Sequence, residues 1–143
     1  MKLLLTLAAC AAAQQLDLQL SEDGSFEIAF DGVAWLRGGD VLVDGRSAAA
    51  GDFTLAARTQ GAGVDALGAF AATSYFWEAD CFELAINATF KTYADDPSIV
   101  VFEQAFPYGL GPPAAAGARA ALAARTLFPA FERAAPAGAP ALA

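Results

Sequence analysis

Between Leu16 and Phe106 the apolar residues recur with a period of two, and that alternation requires extended rather than helical backbone. Leu16, Leu18 and Leu20 alternate with Asp17 and Gln19, and Phe26, Ile28 and Phe30 alternate with Glu27, Ala29 and Asp31. Successive side chains of a strand point to opposite faces, so each run presents one apolar face and one polar or small one. Glu22-Asp23-Gly24-Ser25 between them is short and turn-rich, which predicts an antiparallel hairpin. Asp31-Gly32 is the next turn signal, and a strand from Val33 to Leu36 follows it.

Gly38-Gly39-Asp40 and Asp44-Gly45 bracket a short strand at Val41-Leu42-Val43. Phe53 to Arg58 reads as another strand, after which Gly61-Ala62-Gly63 and Gly68 loosen the chain. Ala69 to Trp77 reads as a strand carrying Tyr75, Phe76 and Trp77. The strongest pattern starts at Cys81 or Phe82 and runs to about Tyr93. Phe82, Leu84, Ile86, Ala88 and Phe90 fall on its core face, and Glu83, Asn87, Thr89 and Lys91 on its solvent face. Asp95-Asp96-Pro97-Ser98 is a turn, and the apolar run Ile99 to Phe106 predicts a more deeply buried strand, paired with the preceding one as a second hairpin. The fold class is mainly β: an antiparallel β-sandwich spanning residues 14–110.

The material for a core is concentrated in that region. The chain is 57% apolar, but 37 of its 143 residues are Ala, which bury little area each. Nine of the eleven Phe lie between Phe26 and Phe106. Pro107, Gly109, Gly111, Pro112 and Pro113 end the strand-like region, and residues 111–143 form an Ala/Pro/Gly-rich tail. Ala propensity predicts a short helix there from about Ala114 to Arg125, and Ala134 to Ala143 is expected to be disordered.

Residues 1–13 read as a signal peptide: Lys2, the apolar run Leu3 to Ala9, and small residues with Ala11 and Ala13 at the processing position. A membrane span needs about 20 apolar residues, and Gln14, Gln15 and Asp17 arrive too early for one. Leu7-Ala8-Ala9-Cys10 also fits a lipobox, in which Cys10 would be lipidated. Cleavage after Ala13 leaves Cys81 as the one thiol, so no intrachain disulfide is expected, and beside Phe82 the thiol reads as an inert core group. The expected location is secreted or extracellular.

Sixteen acidic against eight basic residues give a net charge of −8, which opposes binding to nucleic acid or anionic lipid. The chain has no His, which removes the commonest general base, the usual zinc nitrogen ligand and every Ser-His-Asp or Cys-His arrangement. No metal site and no cofactor are expected. The glycine-rich pieces Gly38-Gly39 and Gly61-Ala62-Gly63 match no phosphate-cradling loop.

Three features carry chemistry. Asn87-Ala88-Thr89 is an N-glycosylation sequon with no proline in the middle, on the solvent face of its strand. Trp35, Tyr75 and Trp77 are candidates for stacking on a sugar ring, since Tyr75 and Trp77 share one strand face; the same rings would otherwise serve as core. The carboxylates admit a glycosidase reading, in which two flank the scissile bond. Asp40, Asp44, Asp52, Asp95 and Asp96 all sit beside turn residues, however, where Asp is expected for local hydrogen bonding.

Leu67-Gly68-Ala69-Phe70, Tyr75-Phe76-Trp77, the long alternating strand, Val100 to Pro107 and Leu127-Phe128-Pro129-Ala130-Phe131 together resemble the N-terminal β-sandwich of α-galactosidase and raffinose-synthase-like glycoside hydrolases. The resemblance spans residues 16 to 131. It implies a sandwich and a carbohydrate context. It also implies catalytic aspartates on a (β/α)₈ barrel after the sandwich, of about 250 residues, for which this chain has no room. No catalytic residue of that family can be placed on a numbered position here, and the chain is expected to be a truncated relative.

The expected function is therefore a secreted β-sandwich module that binds carbohydrate without catalysis of its own. The alternatives are a fragment of, or a small, glycoside hydrolase using an Asp/Glu pair, and a structural cell-surface module. An exposed Tyr75/Trp77 platform would favour binding, and two carboxylates about 5 to 10 Å apart in a cleft would favour catalysis. Burial of every aromatic, with no cleft, would favour the structural module.

Overall fold

The computed structural model describes residues 16–43, 45–79, 84–109 and 126–133. Residues 1–13, Cys10, Cys81, the helix expected over 114–125 and the end expected to be disordered all lie outside them. Eleven strands and no helix are described: β1 (Leu16–Leu20), β2 (Phe26–Phe30), β3 (Val33–Gly38), β4 (Leu42–Val43), β5 (Arg46–Ser47), β6 (Phe53–Asp65), β7 (Gly68–Ala79), β8 (Ala85–Tyr93), β9 (Val100–Ala105), β10 (Thr126–Leu127) and β11 (Phe131–Arg133). They form two four-stranded sheets, ordered β1-β2-β3-β11 and β6-β7-β8-β9, and a small sheet ordered β10-β4-β5. Every pairing is antiparallel.

The two predicted hairpins form. β1 pairs β2 with Leu16 opposite Phe30, Leu18 opposite Ile28 and Leu20 opposite Phe26, so the apolar sets of both strands share one face. Their turn is tied locally: the Asp23 carboxylate accepts hydrogen bonds from the Ser25 N–H (3.0 Å) and hydroxyl (2.7 Å). Gly24 in that turn has φ 86°, and a Cβ there would lie 2.7 Å from the Trp77 ring. Glycine is thus required twice over, by backbone conformation and by the neighbouring indole. β8 pairs β9 through Phe90 opposite Phe102. β9 is a half-buried edge strand rather than a deeply buried one, because among the described residues no further strand pairs beyond it.

β6 and β7 run further than their composition predicts. They span 13 and 12 residues and pair along their full length, from Phe53 opposite Ala79 to Asp65 opposite Gly68. Gly61-Ala62-Gly63 continues the ladder instead of breaking it. The tight Ala66-Leu67 turn, in which the Asp65 carboxylate accepts the Leu67 N–H at 2.9 Å, fixes the register from which pairing propagates.

The sheets stack through aromatic side chains. Phe26 of the first meets Phe90 of the second with ring centroids 5.2 Å apart, and Phe102, Phe128 and Phe131 pack around this pair. Ile28, Val41, Val43, Phe53, Tyr75, Trp77, Ala79 and Ile86 belong to the same buried core. The architecture is a mainly β, antiparallel sandwich. Thr126–Leu127 and Phe131–Arg133 pair with β4 and β3, so part of the region expected as a tail beyond residue 110 returns to the fold. Among the described residues no helix is long and apolar enough to cross a membrane.

Candidate functional site

Alternation puts Tyr75 and Trp77 on one face of β7, and that face is the core: Tyr75 is 1% exposed and Trp77 7%. Neither presents a ring face to solvent, which corrects the reading of this pair as a stacking platform. The reason is area, since large aromatics gain most by closing the gap between two sheets. Tyr75 fills a further role across that gap. Its buried hydroxyl donates to the Ser21 carbonyl at 2.6 Å and accepts from Arg58 Nε at 3.4 Å, joining the β1–β2 turn to the second sheet.

Trp35 lies apart from that pair and is 55% exposed. It sits where the β2–β3 register shifts from Ile28 opposite Leu36 to Ala29 opposite Ala34, as the extra residue of a bulge that re-aims its side chain. With Leu16, Ile28, Leu36, Phe102 and Phe131 it lines a groove of about 370 Å³. Apart from Ser98 the lining is apolar, so the groove offers few partners for hydroxyl groups.

A different cleft, of about 440 Å³, combines the rim of Trp77 with polar side chains from four segments. The β1–β2 turn contributes Asp23 and Ser25, β3 contributes Arg37, the loop after it Asp40, and β11 Glu132. Gly38 and Gly39 form part of its wall; a Cβ on Gly39 would lie 2.5 Å from Ser25 Cα, so the backbones meet there with no room for a side chain.

The polar groups of this cleft are held in place. The Ser25 hydroxyl, and then its N–H, keep the Asp23 carboxyl below the ordinary carboxylate range. Asp40 accepts the Ala49 N–H at 3.0 Å. Arg37 stands opposite both Glu27 and Glu132, and its Nε donates to Glu27 at 2.6 Å. These residues were not recognisable as a site in the sequence. Asp23 and Asp40 look like ordinary turn residues, and Arg37 and Glu132 are 95 positions apart until β11 pairs with β3.

The opposite face of the second sheet carries another polar group. Lys91 Nζ lies 2.5 Å from Glu103, 3.6 Å from Asp65 and 4.5 Å from the Phe70 ring centre, while the Tyr93 hydroxyl donates to Asp65 at 2.8 Å. The Leu67 N–H is the main cause of a lowered Asp65 pKa; the Glu103 hydrogen bond raises Lys91, and desolvation raises Tyr93. Every charge here already has a partner, which makes this a clasp between strands. Asn87 is on the same face, beside Phe76 and Ala105, half-buried and with an amide oxygen that is buried and unpartnered. Among the described residues no group of three or more Cys, Asp or Glu could hold a metal ion. No protein-family model, curated protein or solved structure matches the chain.

Proposed function

We propose that this protein is a secreted carbohydrate-binding module that holds its ligand in the Trp77 cleft and catalyses no reaction of its own. One observation carries the reading: an indole rim, a guanidinium and three carboxylates, drawn from five separate segments, line a single open cleft. A sugar presents apolar C–H faces and a fringe of hydroxyls. The hydroxyls donate to the carboxylates and accept from the guanidinium, and the edge of Trp77 adds a small apolar part of the wall. Acceptors already fixed by backbone N–H groups lose little freedom on binding.

The same fixing speaks against an acid–base pair. A glycosidase needs one carboxyl kept protonated beside an ionised one, whereas the Ser25 hydroxyl and N–H push Asp23 towards its ionised form. The resemblance to the sandwich that precedes a glycosidase barrel agrees with a supporting rather than catalytic role.

Titrating the full chain with neutral, cationic and anionic oligosaccharides by calorimetry tests the reading. Binding is expected, with Arg37→Ala and Glu132→Ala each weakening it about tenfold or more, as loss of a hydrogen bond to a charged group predicts. Trp35→Ala should leave the affinity unchanged. Absence of binding to all three classes, or binding that depends on Trp35 and ignores Arg37 and Glu132, would sink it.

A further inference from the structure

The outer face of the second sheet contains a row that neither the core nor the cleft uses. Strand register sets Ala57, Phe76, Asn87 and Ala105 side by side across β6, β7, β8 and β9. Ala57 and Ala105 at its ends are exposed and small. Phe76, half-buried, is the direct cross-strand neighbour of Asn87, and such neighbours have Cβ atoms about 4.5–5.5 Å apart. Asn87 is the first residue of the sequon Asn87-Ala88-Thr89. Its row therefore holds an acceptor amide, an aromatic ring beside it, and two alanines that leave the space around them open.

We propose that Asn87 carries an N-linked glycan whose first N-acetylglucosamine residue lies on the ring of Phe76. The proposal rests on the secretory part of the reading above and is independent of the cleft. The donor is an oligosaccharide linked to a lipid diphosphate. A bond forms between Asn87 Nδ2 and the sugar C1 as the C1–oxygen bond to the diphosphate breaks. The lipid diphosphate leaves with that electron pair, Nδ2 gives up one proton, and the side chain remains a neutral amide.

Transfer must precede pairing of β7 with β8, because in the folded chain the Thr89 hydroxyl shares a 2.7 Å hydrogen bond with Ser74 and the Asn87 amide oxygen is buried. Once the strands pair, the apolar face of the first sugar covers the neighbouring aromatic ring and removes both surfaces from water. The glycan so placed lies on the sheet's outer face, towards the end where β9 finishes at Ala105, opposite the side that carries Trp77 and Ile86.

The test is expression of the full chain in a secreting eukaryotic cell, followed by peptide mass analysis before and after enzymatic glycan release. Asn87 is expected to be modified, and Asn87→Gln and Thr89→Ala each to lose the modification. Trimming the glycan to one N-acetylglucosamine should leave a melting temperature above that of the chain made without glycan in bacteria. That gain should disappear in Phe76→Leu. Secreted protein with a bare Asn87 overturns the glycan alone, and a chain retained in the cytosol with residues 1–13 intact overturns the secretory reading with it. An equal gain in Phe76→Leu overturns the seat on Phe76.

Discussion

Gly24 and Gly32 share a left-handed backbone, with φ of 86° and 77°, yet stand in opposite surroundings. A methyl at Gly32 meets nothing within 4 Å, while one at Gly24 meets the Trp77 ring at 2.7 Å. Gly32→Ala should therefore cost only the backbone penalty, about 1–2 kcal/mol. Gly24→Ala adds displacement of a packed indole and should cost clearly more, by about 1–3 kcal/mol for an overpacked core. Urea unfolding of the two variants checks this; equal losses would mean that the turn does not rest on Trp77. Both glycines are legible in the sequence as turn residues. The difference between them is not, because Trp77 is 53 positions from Gly24 and only the stacking of the sheets brings it there.

At the scale of strands, local alternation was enough to predict the β1–β2 and β8–β9 hairpins, since each is closed by a short turn and pairs apolar residue with apolar residue. It failed where pairing rather than side-chain burial sustains the strand. The outer part of β6 is largely exposed, and Gly61-Ala62-Gly63 is extended only because β7 supplies hydrogen bonds. The far end of this hairpin is held by the clasp of Asp65, Lys91, Tyr93 and Glu103, which gives it a pH dependence. Asp65 is shifted below its ordinary value of 3.8, so its contribution is present above that value and is lost as pH falls through the lowered one. Lys91 and Tyr93 are raised above 10.5 and 10.0, so their contributions are present below those values and are lost on the alkaline side. The difference in melting temperature between wild type and Asp65→Asn should hold near neutrality and close below pH 3.8. A difference that stays constant into acid would show that the carboxylate charge plays no part.

Across the whole molecule, one ring serves both sheets. Phe90 is 2% exposed and lies within 6 Å of Phe26, Tyr75, Phe102 and Phe128. Phe90→Ala should cost about 3–5 kcal/mol, a large share of the roughly 5–15 kcal/mol that stabilises a typical domain. Denaturation followed by circular dichroism should remain a single transition at lower urea; two transitions would mean that the sheets hold together separately. That a phenylalanine-rich core lies between Phe26 and Phe106 is legible from composition. The cleft is not, because its residues become neighbours only when β11 returns to β3. The aromatic arrangement also leaves the two tryptophans in contrasting settings, with Trp77 sealed at 7% exposure and Trp35 open at 55%. The chain thus carries two intrinsic optical labels of opposite character. Emission from Trp77 should be blue-shifted and resistant to acrylamide quenching, and emission from Trp35 red-shifted and readily quenched, so loosening of the core and covering of the apolar groove would be read separately in unlabelled protein.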